Sequence, residues 1–419
     1  MSQVQQLADR FGTPLYIYDL DRVAAARRDL FQSLPAEFDL YYALKANPHP
    51  DVVRATRDGD GPRCRAEISS TGELAAALEA GFDGADCLYT GPGKTHAELD
   101  EALRLGVRLF STESLTDLRH VGDAARRLGV EARCLLRVNS ASASAATSIR
   151  MTGAPSQFGF DAETLGDLAD ELRAVPGARV VGFHFFPLSN AQDEDALIGE
   201  FQHTIRTAAQ LAKETGVELE YLDIGGGFAA PYAVAGERPR YPRLRAALET
   251  TLDTELPTWR GDIKVACESG RHLVGDSGTL VLGVVNTKTS RGRNFVIVDA
   301  GINAFGGLSG LGRLLPVAVA PQGDTPATEV ASLVGPLCTP GDLLGRDIAV
   351  PPLAADDRVV LGNVGAYGVS ASLLMFLGRP APTEVAVRGE RIVSVSRITH
   401  RREHTPVTDP HTSSQGAPA

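Results

Sequence analysis

The 419-residue chain carries no excess of positive charge: 41 Lys and Arg stand against 52 Asp and Glu, a formal net charge of −11. That balance gives no electrostatic support for a sequence-independent grip on phosphate backbones, so nucleic acid is excluded as a partner. No run of about 18 apolar residues occurs, so no membrane-spanning helix is expected. The N-terminal MSQVQQLADRFGTPLYIYDL has no basic stretch leading into an apolar core. A secretory signal is therefore not expected, and the cytoplasm is the expected location. Cysteine is scarce and scattered: Cys64, Cys87, Cys134, Cys267 and Cys338 form no CxxC pair and show no ligand spacing. A disulfide frame and a zinc site are both excluded on that pattern, and no metal is expected.

What is present describes an ordinary globular protein, with 43% hydrophobic and 22% charged residues. The length suits a large barrel plus a second unit. From about residue 36 to 270, short apolar runs alternate with stretches of helical period. The runs are DLYYALK (39–45), RAEIS (65–69), DCLYT (86–90), VRLFS (107–111), ARCLLRV (132–138), ARVVGFHFF (178–186), LEYLDI (219–224) and IKVACE (263–268). Segments such as TGELAAALEAG and THAELDEALRLG lie between them, with apolar residues three and four apart and a closing glycine. Eight strands that each feed a helix predict an α/β fold, a (β/α)8 TIM barrel. Over 271–403 the rhythm changes to strand-like runs separated by turn residues, which predicts a C-terminal antiparallel β domain. The segment 1–35, with TPLYIYDLDRV, reads as a contribution to that domain. The polar, proline-containing end, 404–419, reads as a disordered tail.

A barrel of this kind keeps its chemistry at the carboxyl ends of its strands. Lys45 ends the first strand, on the side shared by Tyr41 and Ala43. A cation at the end of a buried strand is costly, and burial shifts it toward the neutral, reactive amine. Glu67 and Ser69 end the second strand, Arg137 and Asn139 the fifth, and His184, Phe186 and Ser189 lie at or just past the end of the sixth. The seventh runs into DIGGGF, where Gly225, Gly226 and Gly227 offer consecutive backbone N–H groups to an anion. The eighth ends in ESGR, which supplies Glu268, Gly270 and Arg271. Each feature alone has an everyday explanation: lysines snorkel, GGG makes turns, and ExGR is short. Together they give an amine able to form an imine, an acid deep in the site, an aromatic face and a phosphate cup. Pyridoxal 5′-phosphate requires these four things.

The series TPLYIYD, YYALKAN, SSTGEL, STES, SQFGF, LDIGGGF, ESGR, FVIVDAGIN, GPLCTPGD and GAYG resembles, in order and spacing, the fold-type III pyridoxal-phosphate decarboxylases. That family includes the diaminopimelate and ornithine decarboxylases. The resemblance implies that Lys45 holds the cofactor as an imine, that Glu268 faces the pyridine nitrogen, and that Gly225 to Gly227, Ser189, Arg271 and Tyr367 hold the phosphate. It also implies a homodimer with shared active sites, in which Cys338 comes from the other subunit and is a catalytic candidate with Lys45 and Glu268. Asp342 matches a substrate-facing carboxylate, and His184 is placed near the substrate.

The departures from the family pattern are specific. Phe186 stands where a stacking histidine is common, Leu188 where glycine is common, and Gln157 where lysine is common. The arginine, tyrosine and glutamate with which diaminopimelate decarboxylases grip the distal zwitterion have no counterparts in GINAFGGLSGLG and CTPGD, where Thr339 follows the cysteine. Each lost charge-assisted bond is worth ~1.5–3 kcal/mol, so diaminopimelate is an unfavourable substrate. GGGFAAPY and FLGRPAPTEV look more like a subgroup of specialised biosynthesis, some members of which decarboxylate aminoacyl groups on an acyl carrier protein. The expected activity is thus α-decarboxylation of an amino acid or a carrier-bound aminoacyl group. Two other readings stay open: a racemase on the same barrel, which would place arginine rather than Glu268 at the ring nitrogen, and a non-catalytic cofactor-binding protein, which would be a barrel alone.

Overall fold

A computed structural model of the chain describes residues 2–140, 155–186, 189–306, 319–323 and 325–405. Its strands are β1 (Leu15–Asp19), β2 (Asp39–Ala43), β3 (Arg65–Ile68), β4 (Cys87–Tyr89), β5 (Leu109–Thr112), β6 (Ala132–Asn139), β7 (Phe160–Asp161), β8 (Ala178–Phe185), β9 (Tyr221–Asp223) and β10 (Lys264–Ser269). Taking β2 to β6 and then β8 to β10, each strand pairs in parallel with the next, and β10 returns to pair with β2. This is a closed eight-stranded barrel, with the two-residue β7 as a parallel flap on β6. The eight strand runs expected from the sequence coincide with its staves to within a few residues, the usual uncertainty of element ends.

Alternation within the strands explains why the barrel is solid at one end. Tyr41 points inward with Leu88, Leu109, Leu135, Val181, Tyr221 and Ala266, while its neighbours Leu40 and Tyr42 face the surrounding helices. The hydroxyls of Tyr41 and Tyr221 lie 2.8 Å apart, and Tyr221 donates to Asp39 at 3.0 Å. Asp39 is in turn held by Arg65 at 3.0 Å. A ligand must therefore enter at the other end, where the strands finish. There the helices begin abruptly, because Ser70, Thr95 and Ser114 accept hydrogen bonds from the backbone N–H groups of Glu73, Glu98 and Asp117.

The second sheet contains β1 together with β11 (Gly278–Ser290), β12 (Arg293–Val298), β13 (Glu329–Val334), β14 (Leu343–Val350), β15 (Arg358–Gly362), β16 (Thr383–Arg388) and β17 (Arg391–Ser396). Its pairings are antiparallel except β1 with β16 and β12 with β13. The first exception arises because β1 is separated by the whole barrel from its partners, so no hairpin fixes its direction. Hydrogen bonds tie the sheet domain to the barrel mouth, among them Tyr367 N donating to Ala46 O at 2.7 Å and Asn47 Nδ2 to Gly365 O at 2.9 Å. Among the described residues no helix is long and apolar enough to cross a membrane. The tail expected from 404 lies outside the described residues from 406 onward, as does Leu188.

The inward plug carries a stability prediction. Leu135→Ala removes a fully buried side chain from it, and such truncations cost about 2–5 kcal/mol. The midpoint of urea unfolding should fall accordingly. A midpoint equal to the parent's contradicts a packed barrel floor.

Candidate active site

Lys45 stands just beyond β2, on a 3-10 turn formed by Leu44–Ala46. The period-two rule therefore ends at Ala43, and the turn, not the strand, aims the amine. Lys45 Nζ lies 3.2 and 3.1 Å from the two carboxylate oxygens of Glu67 at the end of β3. It also sits 5.3 Å above the centre of the Phe186 ring. Its side chain is 41% exposed, whereas that of Glu67 is 2% exposed. Burial pulls the ammonium toward neutrality, but the charges of Glu67 and Glu268 outweigh it and raise the pKa above the ordinary lysine value. The expectation of a neutral-shifted amine is corrected: a buried carboxylate on the adjacent strand holds the charge.

Beneath the mouth lies a group of acids. Glu268, at the end of β10, is buried, and its Oε1 is 3.1 Å from Nε2 of buried His184. Neither atom makes a hydrogen bond, so the contact is an ion pair lying off the donor line. The other ring nitrogen of His184 meets Ser111 Oγ at 2.7 Å. Burial alone would raise the Glu268 carboxyl, but His184, Lys45 and Arg137 hold it below its ordinary value. Burial likewise disfavours the His184 cation, and Glu268 and Asp223 overcome it, so that its pKa is raised.

Lys45, Phe186, Ser189, Gly226, Gly227, Glu268, Gly270, Arg271 and Tyr367 line one pocket. Gly226 in its wall and Gly225 behind it are steric necessities. A Cβ on Gly226 would lie 2.7 Å from the Glu268 carbonyl oxygen and 3.2 Å from the Phe186 ring, and one on Gly225 (φ +78°) would collide with the Phe185 carbonyl oxygen. Arg271 Nη1 is buried with no hydrogen-bond partner, while the guanidinium carbon is 5.1 Å from the Tyr367 ring centre. An unsatisfied arginine beside side-chain-free backbone fits a phosphate, and the buried Glu268 anion fits a protonated ring nitrogen. Pyridoxal 5′-phosphate therefore fits the residues present. A larger groove is lined by Arg22, Asp29, Arg238 and Asp276, but Arg238 pairs with both aspartates and the groove contains no strand-end residue.

Other expected site residues lie elsewhere. Arg137 pairs with Glu113 at 3.1 Å and stacks between Phe158 (4.7 Å) and Phe186 (6.0 Å), so it backs the aromatic face without lining the pocket. Glu67 also acts from behind, through Lys45. Gly225 supports the cradle from outside the lining. His184 is buried and absent from the pocket wall, and its Nε2 faces Glu268. Asp342 is buried and does not line this pocket; its oxygens accept from Ile302 N and Leu337 N, each at 2.8 Å, so it braces its loop. Cys338 is exposed and does not line the pocket of its own chain.

Glu113, Ser111 and Asp223 were missed in the sequence. The segment STES and the aspartate directly before IGGG offered a hint, but only their neighbours in space reveal what they do.

Comparison with known proteins points to the same cofactor. Residues 20–275 match the family model of the pyridoxal-dependent decarboxylases, pyridoxal binding domain. An L-glutamyl-[BtrI acyl-carrier protein] decarboxylase of Niallia circulans is 31% identical, covering 92% of this chain and 91% of its own. The diaminopimelate decarboxylase of Archaeoglobus fulgidus is 31% identical, covering 93% of this chain and 91% of its own. The crystal structure of diaminopimelate decarboxylase from Helicobacter pylori, complexed with L-lysine, superposes with a TM-score of 0.79 at 26% identity. That match covers 93% of this chain and 95% of the other.

Two outcomes test the geometry. Asp342→Ala strands two buried backbone amides, each worth ~1–3 kcal/mol, and should lower the melting temperature while leaving KM unchanged. A raised KM at unchanged melting temperature would restore the substrate contact. In the second, the Lys45 ion pair is complete below the lysine's unfolded value and is lost as pH rises through the raised folded value. Glu67→Gln should shift the pH profile of Lys45 acylation, read by mass spectrometry on cofactor-free protein, to lower pH. An identical profile contradicts the pairing.

Proposed function

The chain belongs to the pyridoxal-dependent decarboxylases, and from that premise we propose that it removes the α-carboxylate of an aminoacyl group carried on an acyl carrier protein. The cofactor, when bound, supplies a protonated pyridine ring that takes up the electron pair left at the α-carbon as carbon dioxide departs. The chain's residues do the rest. The observation that carries decarboxylation is Glu268, a buried carboxylate kept ionised by neighbouring cations, where it can hold the proton on the ring nitrogen. Lys45 Nζ, held by Glu67, is the amine that anchors the cofactor and yields to the substrate amine. Arg271, Ser189, Tyr367 and the backbone of Gly226 and Gly227 would hold the cofactor's phosphate. Phe186 would lie against its ring and exclude water there, without offering a proton.

The homodimer belongs to this proposal. Cys338, exposed on its loop, enters the site of a second copy and returns a proton to the α-carbon. Two features support a carrier-borne substrate. Thr339, not an acid, follows Cys338, and Asp342 is occupied as a brace. The segment after Tyr367 presents exposed Leu373, Met375, Phe376 and Leu377 and carries no charged residue from 368 to 378, so it offers nothing to a distal ammonium or carboxylate. Such a segment suits an acyl arm better than a free zwitterion. The relative that acts on a carrier-bound glutamyl group makes glutamyl the first group to try.

Purified enzyme with cofactor should be offered free L-glutamate, diaminopimelate, lysine, and a glutamyl-loaded carrier protein, with loss of carbon dioxide read by mass. The loaded carrier should be turned over with kcat/KM at least ~100-fold above any free amino acid, since remote binding energy is spent on the chemical step. Equal turnover of a free amino acid overturns the carrier assignment, and racemised substrate without mass loss overturns decarboxylation.

A further inference from the structure

Asp223 ends β9, between the strands that carry His184 and Glu268. In the barrel register it sits opposite His184 on β8 and opposite Ala266, two residues before Glu268, on β10. Its side chain is fully buried, and its two oxygens have different surroundings. Oδ1 accepts a 2.8 Å hydrogen bond from Gly225 N, the first glycine of the cradle. Oδ2 is buried without a hydrogen-bond partner, as are His184 Nε2 and Glu268 Oε1. Ligand atoms of these three residues all lie within 4.8 Å of one another.

Charge balance explains the cluster. Two carboxylates that cannot reach water need two cations, because an uncompensated buried charge is expensive. With the cofactor bound, its protonated ring nitrogen would supply one and the His184 imidazolium the other, while Lys45 and Arg137 add positive charge toward Glu268. Without Asp223, His184 would have to share Glu268 with those cations. We propose that Asp223 is a positioning residue that keeps His184 protonated behind Glu268 and, through its other oxygen, fixes the first glycine of the phosphate cradle. Both ends of the cofactor seat are thereby tied to one side chain.

The groups facing His184 are Glu268 from β10, Asp223 from β9, Arg137 from β6 and the Ser111 hydroxyl from β5, with only Arg137 opposing its charge. Burial, followed by the charge of Glu268, pushes Asp223 up to about 7, against the pull of His184 and the Gly225 N–H. A cationic ring nitrogen bound beside Glu268 would favour the ionised form of Asp223. The inference rests on the cofactor seat and is independent of the carrier-bound substrate.

The test uses enzyme with cofactor, labelled with ¹³C at histidine Cε1, with the His184 signal assigned by its loss in His184→Gln. In the parent, His184 should be an imidazolium at pH 7, with its midpoint above the ordinary histidine value. Asp223→Asn keeps the acceptor for Gly225 and removes the charge. Its His184 midpoint should move to lower pH, and kcat should fall at least ~10-fold with KM and cofactor affinity within ~3-fold. Asp223→Ala should in addition weaken cofactor binding by ~10-fold or more, because the glycine loses its anchor. A neutral His184 in the parent at pH 7 overturns the proposal whether or not the variants fold. So does an unmoved midpoint in Asp223→Asn. A stoichiometric metal ion in the purified enzyme also overturns it, since the three side chains would then be ligating a cation. All these readouts except kcat and KM need no substrate, so a wrong substrate assignment leaves them unaffected.

Discussion

An ammonium can stand at the mouth of this barrel only because carboxylates on neighbouring strands are already there to hold it. Glu67 on β3 takes Lys45 at 3.1 Å, and Glu268 on β10, across the other edge of β2, adds a second negative charge. Both acids are buried, so their fields act through little water and are weakly screened. The filled floor of the barrel leaves the strand ends as the place where such charges can meet a ligand. Lys45, Glu268, Arg271 and the glycines Gly226 and Gly227 therefore line one pocket, not separate points on the surface.

The sheet domain completes that arrangement from above. Tyr367 contributes its backbone N–H to Ala46, next to the lysine, and its ring to the Arg271 side of the pocket. Its φ of +53° is an uncommon conformation for a tyrosine, held here by that hydrogen bond and by the neighbouring turn. A barrel without this domain would lose both the phosphate-side wall and the clamp on the Lys45 turn. The placement of β1 in the sheet ties the two units further, since the chain must build part of the second domain before it starts the first.

Much of this was legible in the sequence because barrel strands, buried on both faces, are short apolar runs whose last residues can be read off in order. Lys45, Glu268, Arg271 and the three glycines are found in that way. Partnership was not legible. Whether Lys45 is neutral or charged depends on Glu67 lying one strand away, and nothing in YYALKAN specifies that neighbour. His184 and Phe186 are two residues apart and therefore share a side, yet one is a buried support and the other a pocket wall, because the strand ends between them. The substrate-facing reading of Asp342 comes from the family resemblance, not from its surroundings in the sequence. Its oxygens are taken by two backbone amides that only the folded loop brings to it. Asp223 was hidden by its neighbours, since the glycines that follow it carry the more obvious signal.

The central claim is that Lys45 is the single amine to which the cofactor is bonded. The direct measurement is borohydride reduction of the purified, yellow enzyme followed by peptide mapping. The account predicts one pyridoxyl group per chain, on Lys45, with loss of the visible absorbance. A colourless cofactor-soaked protein, or a label on Lys94 or another lysine, would contradict it.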